Sequence, residues 1–370
     1  MSDTKKLYIA GMGMITPVGA NTAMTAAAVN ANISAYAISN FYGHNKQPIT
    51  MASVPGSVFL NSDAEIGEGS RYNERHDRVL NMAIIAIREA CAQHLTRQPV
   101  PLALAMPEVQ GNIKGLVPFI PTLEANCKPW VSAAQTRSLY SGRAAGIEAL
   151  DFAFKYFYDL PSDYMLIGGS DSYQDEERIA PLNTKKRLLV KNSPDGFAPG
   201  EAAAFLLLTR KPELALARNG NIIALQPPGL AEEPGHLYSE EPYRGEGLDA
   251  TFKAAMHSQK PASIHSIYSS MNGENHWAKE YGVAYIRNKD FFHDPVRIEH
   301  PADCYGDVGT ATAAVLIALA AEHLFSDATA TAHLVYSSSD HSKRGAVVVE
   351  KIAYTAGGAK PQANQHLSNT

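Results

Sequence analysis

The chain has 370 residues, 45% of them hydrophobic, and its 32 basic and 37 acidic residues give a formal net charge of −5. This length and composition allow a large core, built as one big domain or as two fused halves. The acidic balance, without any basic run, disfavours a nucleic-acid partner. Cys91, Cys127 and Cys304 are too far apart in sequence for a disulfide framework or a Cys-x-x-Cys site, and no histidine has metal-ligand spacing, so we expect no metal.

The N-terminal residues lead directly into a strand-like run at 7–10, without the apolar stretch and cleavage site of a signal peptide. The longest apolar run, 311–321, is too short to span a bilayer and is rich in Ala and Thr, as in a buried helix. We therefore expect a cytoplasmic protein with no membrane insertion.

In chain order, apolar strand-like runs alternate with helical patterns. Strands are predicted at 7–10, 164–168, 202–208, 264–268, 332–336 and 346–352. Helices are predicted at 22–31, 79–94, 143–158 and 308–324. This alternation predicts an α/β fold. The helices that follow Gly142 and Gly309 are dominated by small residues, which suits close packing between the layers of a sandwich.

Residues 135–146 have the frame of a catalytic elbow, with a short apolar segment before a tight turn and a small-residue helix after it. Such a frame exposes a nucleophile at a helix N-terminus, where backbone N–H groups and the helix dipole favour negative charge. A thiol or hydroxyl is expected at the turn, but the middle of this turn is Ser138, Leu139 and Tyr140. The frame therefore lacks its nucleophile.

The first glycine cluster, between Gly11 and Gly19, follows a strand and invites comparison with a dinucleotide site. The third glycine of Gly-x-Gly-x-x-Gly is replaced by Thr16, Pro17 follows at once, and no clear acidic residue closes a second strand about 20 residues later. The cluster predicts a structural turn, and we expect no cofactor.

The same cluster is the first of five motifs, and the order of these motifs along the chain indicates a family resemblance. The series resembles the β-ketoacyl synthases of the thiolase superfamily. The matching segments are 9–19 (IAGMGMITPVG), 141–149 (SGRAAGIEA), 166–172 (LIGGSDS), 195–204 (DGFAPGEAAA) and 306–313 (GDVGTATA).

The resemblance implies a five-layer αβαβα sandwich of two pseudo-repeats. Its halves are predicted at 1–212 and 213–353, with a charged, proline-containing connection at the boundary and a disordered tail at 354–370. Members of the family dimerise through a strand just before the elbow, here about 130–136. Because such a strand has an otherwise exposed edge, the resemblance implies a homodimer or a heterodimer with a ketosynthase subunit.

The family's catalytic residues do not carry over to this chain. Counting back from Ser141 and Gly142, the cysteine position is Leu139. The first histidine position falls on Asn272, with Ser270 as the alternative, and the second on Asp307. A condensing enzyme needs a thioester-forming cysteine and two histidines around the malonyl unit, so standard condensation is not expected here.

Several candidate site residues follow from these positions. Leu139, Tyr140 and Phe197 are predicted to line or gate a substrate tunnel. Three positions are candidates for a displaced nucleophile, namely Ser138, Tyr140 and Cys304. A small packed residue is the preferred interpretation of Cys304. A helix cap is preferred over a general base for Asp307, and Asn272 is left open as an oxyanion-hole donor or a turn residue.

Basic residues at 185–187 follow an acidic cluster at 175–177. The simplest interpretation is a solvated surface, which could also meet an acidic acyl carrier protein.

Three functions remain open. The leading hypothesis is a catalytically degenerate β-ketoacyl synthase-like subunit. It resembles the chain length factor that partners an active ketosynthase in fatty-acid and polyketide biosynthesis, including aryl-polyene pathways. An acyl carrier protein is a further expected partner. The alternatives are a non-enzymatic thiolase-fold accessory or scaffold protein, serving for example a secretion system, and a divergent acyltransferase with a displaced nucleophile.

Overall fold

The computed structural model describes residues 5–59, 74–92, 98–108, 119–193, 195–260 and 262–354. The predicted tail at 354–370 lies outside the described residues from 355 onward, as do the last two residues of the helix predicted at 79–94.

Strands and helices alternate along the described chain. The strands are β1 (Leu7–Ile15), β2 (Tyr36–Tyr42), β3 (Pro48–Ala52), β4 (Leu102–Ala105), β5 (Thr136–Leu139), β6 (Tyr164–Ser172), β7 (Glu201–Thr209), β8 (Ala217–Arg218), β9 (Asn221–Leu225), β10 (Gly229–Glu232), β11 (Ile264–Tyr268), β12 (Phe292–Glu299), β13 (Ala332–Ser338) and β14 (Lys343–Ala353). The helices are α1 (Thr22–Asn30), α2 (Gly56–Phe59), α3 (Glu74–Cys91), α4 (Phe119–Asn126), α5 (Ala145–Tyr156), α6 (Glu176–Thr184), α7 (Glu246–Ala255), α8 (Asn275–Asn288), α9 (Ala302–Tyr305) and α10 (Thr312–Ser326).

Ten of the fourteen described strands form two sets of five with the same order and the same senses, while β8 pairs with β9, β10 pairs with β14, and β2 and β3 form a separate hairpin. The first runs β5-β4-β6-β7-β1 and the second β12-β11-β13-β14-β9, with two parallel pairings followed by two antiparallel ones in each. The sets meet where β1 pairs with β9 over two residue pairs, Leu7 with Leu225 and Tyr8 with Ala224. The chain therefore contains two topologically equivalent repeats, here called the N-terminal and C-terminal repeats.

Each repeat carries helices on both faces of its strands. α3 packs on the outer face of β1, β6 and β7, and α7 packs on β10 and β14. α5 and α10 lie between the repeats, where each contacts strands of both repeats as well as the other helix. The alternation along β7 fits this arrangement, because Ala204 and Leu206 face the central helices while Phe205 faces α3.

Small side chains let the two central helices approach closely. A methyl group at Gly146 of α5 would lie only 2.8 Å from the Cβ of Ala313 in α10.

The segment Gly309–Ser326 is long and apolar enough to cross a bilayer, but 78% of it is buried inside the fold. It is accordingly the core helix that its small-residue composition predicts.

Candidate functional site

The elbow predicted at 135–146 is formed, with a difference at its start. Residues 133–135 form a 3₁₀ turn, so the strand begins only at Thr136 and not at the predicted 130. β5 ends at Leu139, whose carbonyl accepts from the Met106 N–H at 2.8 Å. Gly142 then adopts a left-handed φ of 62°, which favours glycine, and the chain enters α5 through a short 3₁₀ turn.

The residues at the turn do not enclose a reaction site. Leu139 is partly buried against the central core. The Tyr140 side chain is 55% exposed, whereas a side chain that gates an internal tunnel is expected to be buried. Ser138 lies opposite Leu104 in the parallel pair of β5 and β4.

Phe197 and Cys304 are both buried away from the turn. Phe197 packs edge-on against Tyr173, with ring centroids 5.7 Å apart. Cys304 lies in α9 and is 5% exposed, and burial raises the pKa of its thiol. A thiol that stays protonated is a poor nucleophile, so packing is the better interpretation of Cys304.

Asn272 and Asp307 are brought together. The Asn272 side-chain amide donates to Asp307 Oδ2 at 2.8 Å. Asp307 Oδ1 accepts from the Gly309 N–H at 2.9 Å, at the first residue of the 3₁₀ turn that leads into α10, whose N-cap position is Val308. The hydroxyl of Ser270, the alternative to Asn272, accepts instead from the backbone N–H of Ser338.

Two arginines complete a closed chain of contacts around this pair. Arg143, the second residue after Ser141, donates to Asp307 at 2.5 Å and to Asp340 at 2.7 Å. Arg187 donates to Asp340 at 2.5 Å and makes a two-pronged contact with Glu274 at 2.7 Å for both bonds.

The contacts return to their starting point because Asn272 also donates to Glu274 at 3.1 Å. We call the resulting six-membered network the ring. Its members, in order, are Asp307, Arg143, Asp340, Arg187, Glu274 and Asn272.

The ring is buried and well supplied with partners. The Asp340 side chain is 17% exposed and the other four charged side chains at most 7%. The Arg143 guanidinium also stacks over Trp277, 4.5 Å from the centroid of its aromatic group. Burial alone would raise the pKa of Asp340, but Arg143 and Arg187 hold that pKa well below its usual range.

No protein-family model matches the sequence, and no curated protein matches it. Solved structures do match. One is the ishigamide ketosynthase/chain length factor, with 16% identity, a TM-score of 0.69, and coverage of 94% of this chain and 99% of that one.

A second is a type II polyketide synthase acyl-carrier protein in complex with its ketosynthase, with 13% identity, a TM-score of 0.70 and coverage of 94% and 99%. A third is a ketosynthase in complex with its chain length factor from Xenorhabdus doucetiae, with 14% identity, a TM-score of 0.66 and coverage of 94% and 98%. The chain has the thiolase-like ketosynthase fold. The predicted fold class is confirmed, and identities this low establish the fold alone.

In this example of the ketosynthase fold, little space remains behind the elbow. The cavity there has a volume of about 10 Å³ and is lined in part by Arg143, Asn272 and Asp307. That is room for one water molecule at most. A second cleft, of about 70 Å³, shares Arg143 in its lining and is also lined by Lys185 and Tyr238. Of the cavities that the described residues line here, neither has room for an acyl chain.

Four members of the ring were not among the predicted site residues, namely Arg143, Arg187, Glu274 and Asp340. The interpretation of 185–187 as a solvated basic surface was wrong for Arg187, because its side chain is 7% exposed. The available signal was Arg143 itself, a long cation within the small-residue start of a buried helix. A charge at such a position requires a buried partner.

Proposed function

We propose that this protein is a catalytically silent ketosynthase-like subunit that pairs with an active ketosynthase in the manner of a chain length factor. One observation carries the proposal. By the resemblance the nucleophile position is Leu139, which packs against the central hydrophobic core, and the residues at the predicted histidine positions, Asn272 and Asp307, are engaged in the ring.

The chemistry of the site supports the proposed lack of catalytic activity. An isobutyl group cannot form a thioester, and the two positions that correspond to histidines hold an amide and a carboxylate that bind each other. Asp307 is committed to Arg143, Asn272 and the Gly309 N–H, so its oxygens are engaged by neighbours rather than by a substrate. A subunit that contributes shape and a docking edge needs none of this chemistry.

The two ends of the strand array differ in a way that supports pairing through β5. β12, the edge strand of the C-terminal repeat, carries Asp294, Pro295 and Arg297, which are features that discourage strand pairing. β5 has no proline and only one charge, Arg137. Because alternate residues direct their backbone groups to opposite sides, and the Leu139 carbonyl faces β4, the Ser138 N–H faces the edge of β5 on which no other described strand pairs.

A groove beside this edge adds to the support. It has a volume of about 930 Å³ and is lined by the start of β5, the end of α5 at Phe152 and the start of β6, with Leu160 and Pro161 between them. The groove adjoins β5, so it would lie at the boundary with a subunit that pairs with this strand. An acyl carrier protein would have exposed Lys185 and Lys186 to approach near the cleft.

The test is intact-protein mass spectrometry after incubation with acyl- and malonyl-loaded carrier protein, alone and with any ketosynthase encoded nearby. We expect no adduct on this chain and a stable complex in which the partner is acylated. Ser138→Pro should abolish the complex without unfolding the chain, since proline is tolerated on an edge strand, whereas Ser138→Ala should preserve it. An acyl adduct on this chain would overturn the proposal.

A non-enzymatic scaffold is the second candidate, and one observation favours it. The polar ring closes the interior of the site, so the residues around it provide for no bound acyl chain. The two candidates differ in the partner, because a scaffold would form no complex with a ketosynthase. The scaffold is supported if the same experiment gives no acyl adduct on this chain and no complex with the ketosynthase.

A further inference from the structure

The cleft of about 70 Å³ beside the ring has one wall that is made by a single face of α6. Arg178, Pro181, Leu182 and Lys185 lie on successive turns of this helix and at its C-terminal end, and all four line the cleft. A water molecule buried in a protein needs about 10–15 Å³, so the cleft has room for roughly five water molecules. That is enough space for a ligand of a few atoms.

The charge of Arg178, on this wall, is only weakly compensated by the protein. Its side chain is 14% exposed, and its ion pair with Asp171 is long, at 3.4 Å. Arg75 holds Asp171 more closely, at 2.9 Å, so one buried carboxylate is shared between two guanidinium groups. Arg178 also lies over the ring of Tyr173, 4.8 Å from its centroid, but that side chain carries no negative charge. A largely buried cation with so weak an ion pair favours an additional anionic partner.

Lys185 brings a second positive charge to the same cleft. Its ammonium group lies over the ring of Tyr238, 3.5 Å from the centroid, and it forms no ion pair with any other described residue. Because Lys185 and Arg178 line a space this small, an anion bound inside it would contact both cations.

The carboxylates that line the cleft are already engaged. Asp340 belongs to the ring, in which two arginines hold it. Glu108 Oε2 lies 2.7 Å from Nδ1 of His341. The third carboxylate is the one shared between two guanidinium groups. Among the described residues that line the cleft, the least compensated charges are therefore those of Arg178 and Lys185.

We propose that this cleft binds a small oxyanion, a phosphate or a carboxylate group, between Arg178 and Lys185. The planar guanidinium supplies directed N–H donors from the more buried side, and the exposed ammonium supplies a second charge. The site depends on neither a ketosynthase partner nor subunit pairing, so it belongs to the isolated chain and goes beyond the proposed function.

The experiment is isothermal titration calorimetry of the purified chain with inorganic phosphate and, separately, with oxalate, at constant ionic strength. The wild type is compared with Arg178→Gln, with Lys185→Gln and with Lys191→Gln, a control that neutralises an exposed lysine outside the lining of the cleft. We expect one binding site in the wild type and in the control, and at least about tenfold weaker binding in the other two variants. Lys185→Gln changes an exposed side chain, so it tests the site even if Arg178→Gln disturbs folding.

The two anions distinguish the sources of the oxyanion. Binding of phosphate alone would assign a phosphate group, binding of oxalate alone would assign a carboxylate, and binding of both would assign oxyanions in general, all in support of the site. Binding of neither would overturn the proposal. Equal affinities of the wild type and Lys185→Gln, or equal losses in Lys185→Gln and Lys191→Gln, would also overturn it. The proposed function is tested separately, because it depends on a complex with a ketosynthase.

Discussion

The Asn272 amide donates to the Asp307 carboxylate across 2.8 Å, and the resemblance to the β-ketoacyl synthases predicts these two residues at the histidine positions, with Ser270 as the alternative to Asn272. Each therefore uses the other as a partner. The amide does not titrate, and the carboxylate is further held by Arg143 at 2.5 Å. This contact and the packing around it lead to expectations for activity, for stability and for the response to pH.

Leu139→Cys should not restore condensation activity. The new thiol would replace a side chain that packs against the central hydrophobic core, and the cavity that Arg143, Asn272 and Asp307 help to line has a volume of only about 10 Å³. Intact-protein mass spectrometry with acyl-loaded carrier protein should show no thioester. Alkylation by iodoacetamide serves as the control that the thiol is present and accessible. A thioester on this variant would mean that the ring opens to admit an acyl chain.

Arg143→Met should destabilise the fold by about 3–5 kcal/mol, because it leaves Asp307 and Asp340 as buried carboxylates without this cation. Arg218→Met is the matched control. Arg218 pairs with Glu322 at 2.8 Å, but its side chain is 42% exposed, so its loss should cost at most about 1 kcal/mol. Urea unfolding of the three proteins gives both differences. Equal losses would show that the ring contributes no more than a surface pair.

Gly146→Ala should destabilise the fold by about 1–3 kcal/mol, since its methyl group would lie 2.8 Å from the Ala313 Cβ and force the central helices apart. Gly282→Ala is the control within α8, where a methyl group would meet no neighbouring atom within 4 Å beyond its own stretch of helix. It should stabilise the fold by about 0.5–1 kcal/mol through helix propensity. Thermal unfolding measures the opposite signs, and two changes of the same sign would contradict the layer packing.

The free energy of unfolding should fall between pH 6.5 and pH 5 because of His333. Burial, together with His323 and His265, lowers the pKa of His333 from 6.5 to about 3. The unfolded chain therefore gains a proton below pH 6.5 that the folded chain does not take up, which costs about 2 kcal/mol by pH 5. Asp327, the nearby carboxylate, opposes the shift only in part.

His333→Gln should reduce that pH dependence, and the comparison of unfolding curves at the two pH values isolates its contribution. Asp340 does not contribute in this window. Its pKa is held below the usual 3.8, so its stabilisation is lost only as the pH falls below that value. An unchanged slope in His333→Gln would assign the pH dependence to other groups.

The fold was largely predictable because its signals are local or ordered along the chain. Period and composition indicate the strands and the small-residue helices, and the motifs resemble one family in one order. The start of β5 was not predictable, because residues 133–135 form a 3₁₀ turn in which Thr136 Oγ1 donates back to the Ser132 carbonyl. Apolar composition alone does not distinguish such a turn from a strand.

The ring was hidden for a different reason. Arg187 and Glu274 are 87 residues apart in sequence, and Arg143 and Asp340 are 197 apart. In isolation Arg187, Glu274 and Asp340 look like solvated surface charges, Arg143 alone signals burial, and only the packing of the two repeats brings the four together. A sequence shows that charged residues are present, but the packing of the layers decides whether each charge is solvated by water or paired with another side chain.

The ring also sorts its charges by repeat. Both arginines, Arg143 and Arg187, come from the N-terminal repeat, whereas the three carboxylates, Glu274, Asp307 and Asp340, come from the C-terminal repeat. Each repeat alone therefore contributes ring side chains of a single sign. If the chain were cut between them, in the connection before β9, the ring side chains of the two fragments would carry opposite charges. Charge complementarity would favour association of the two fragments in one orientation.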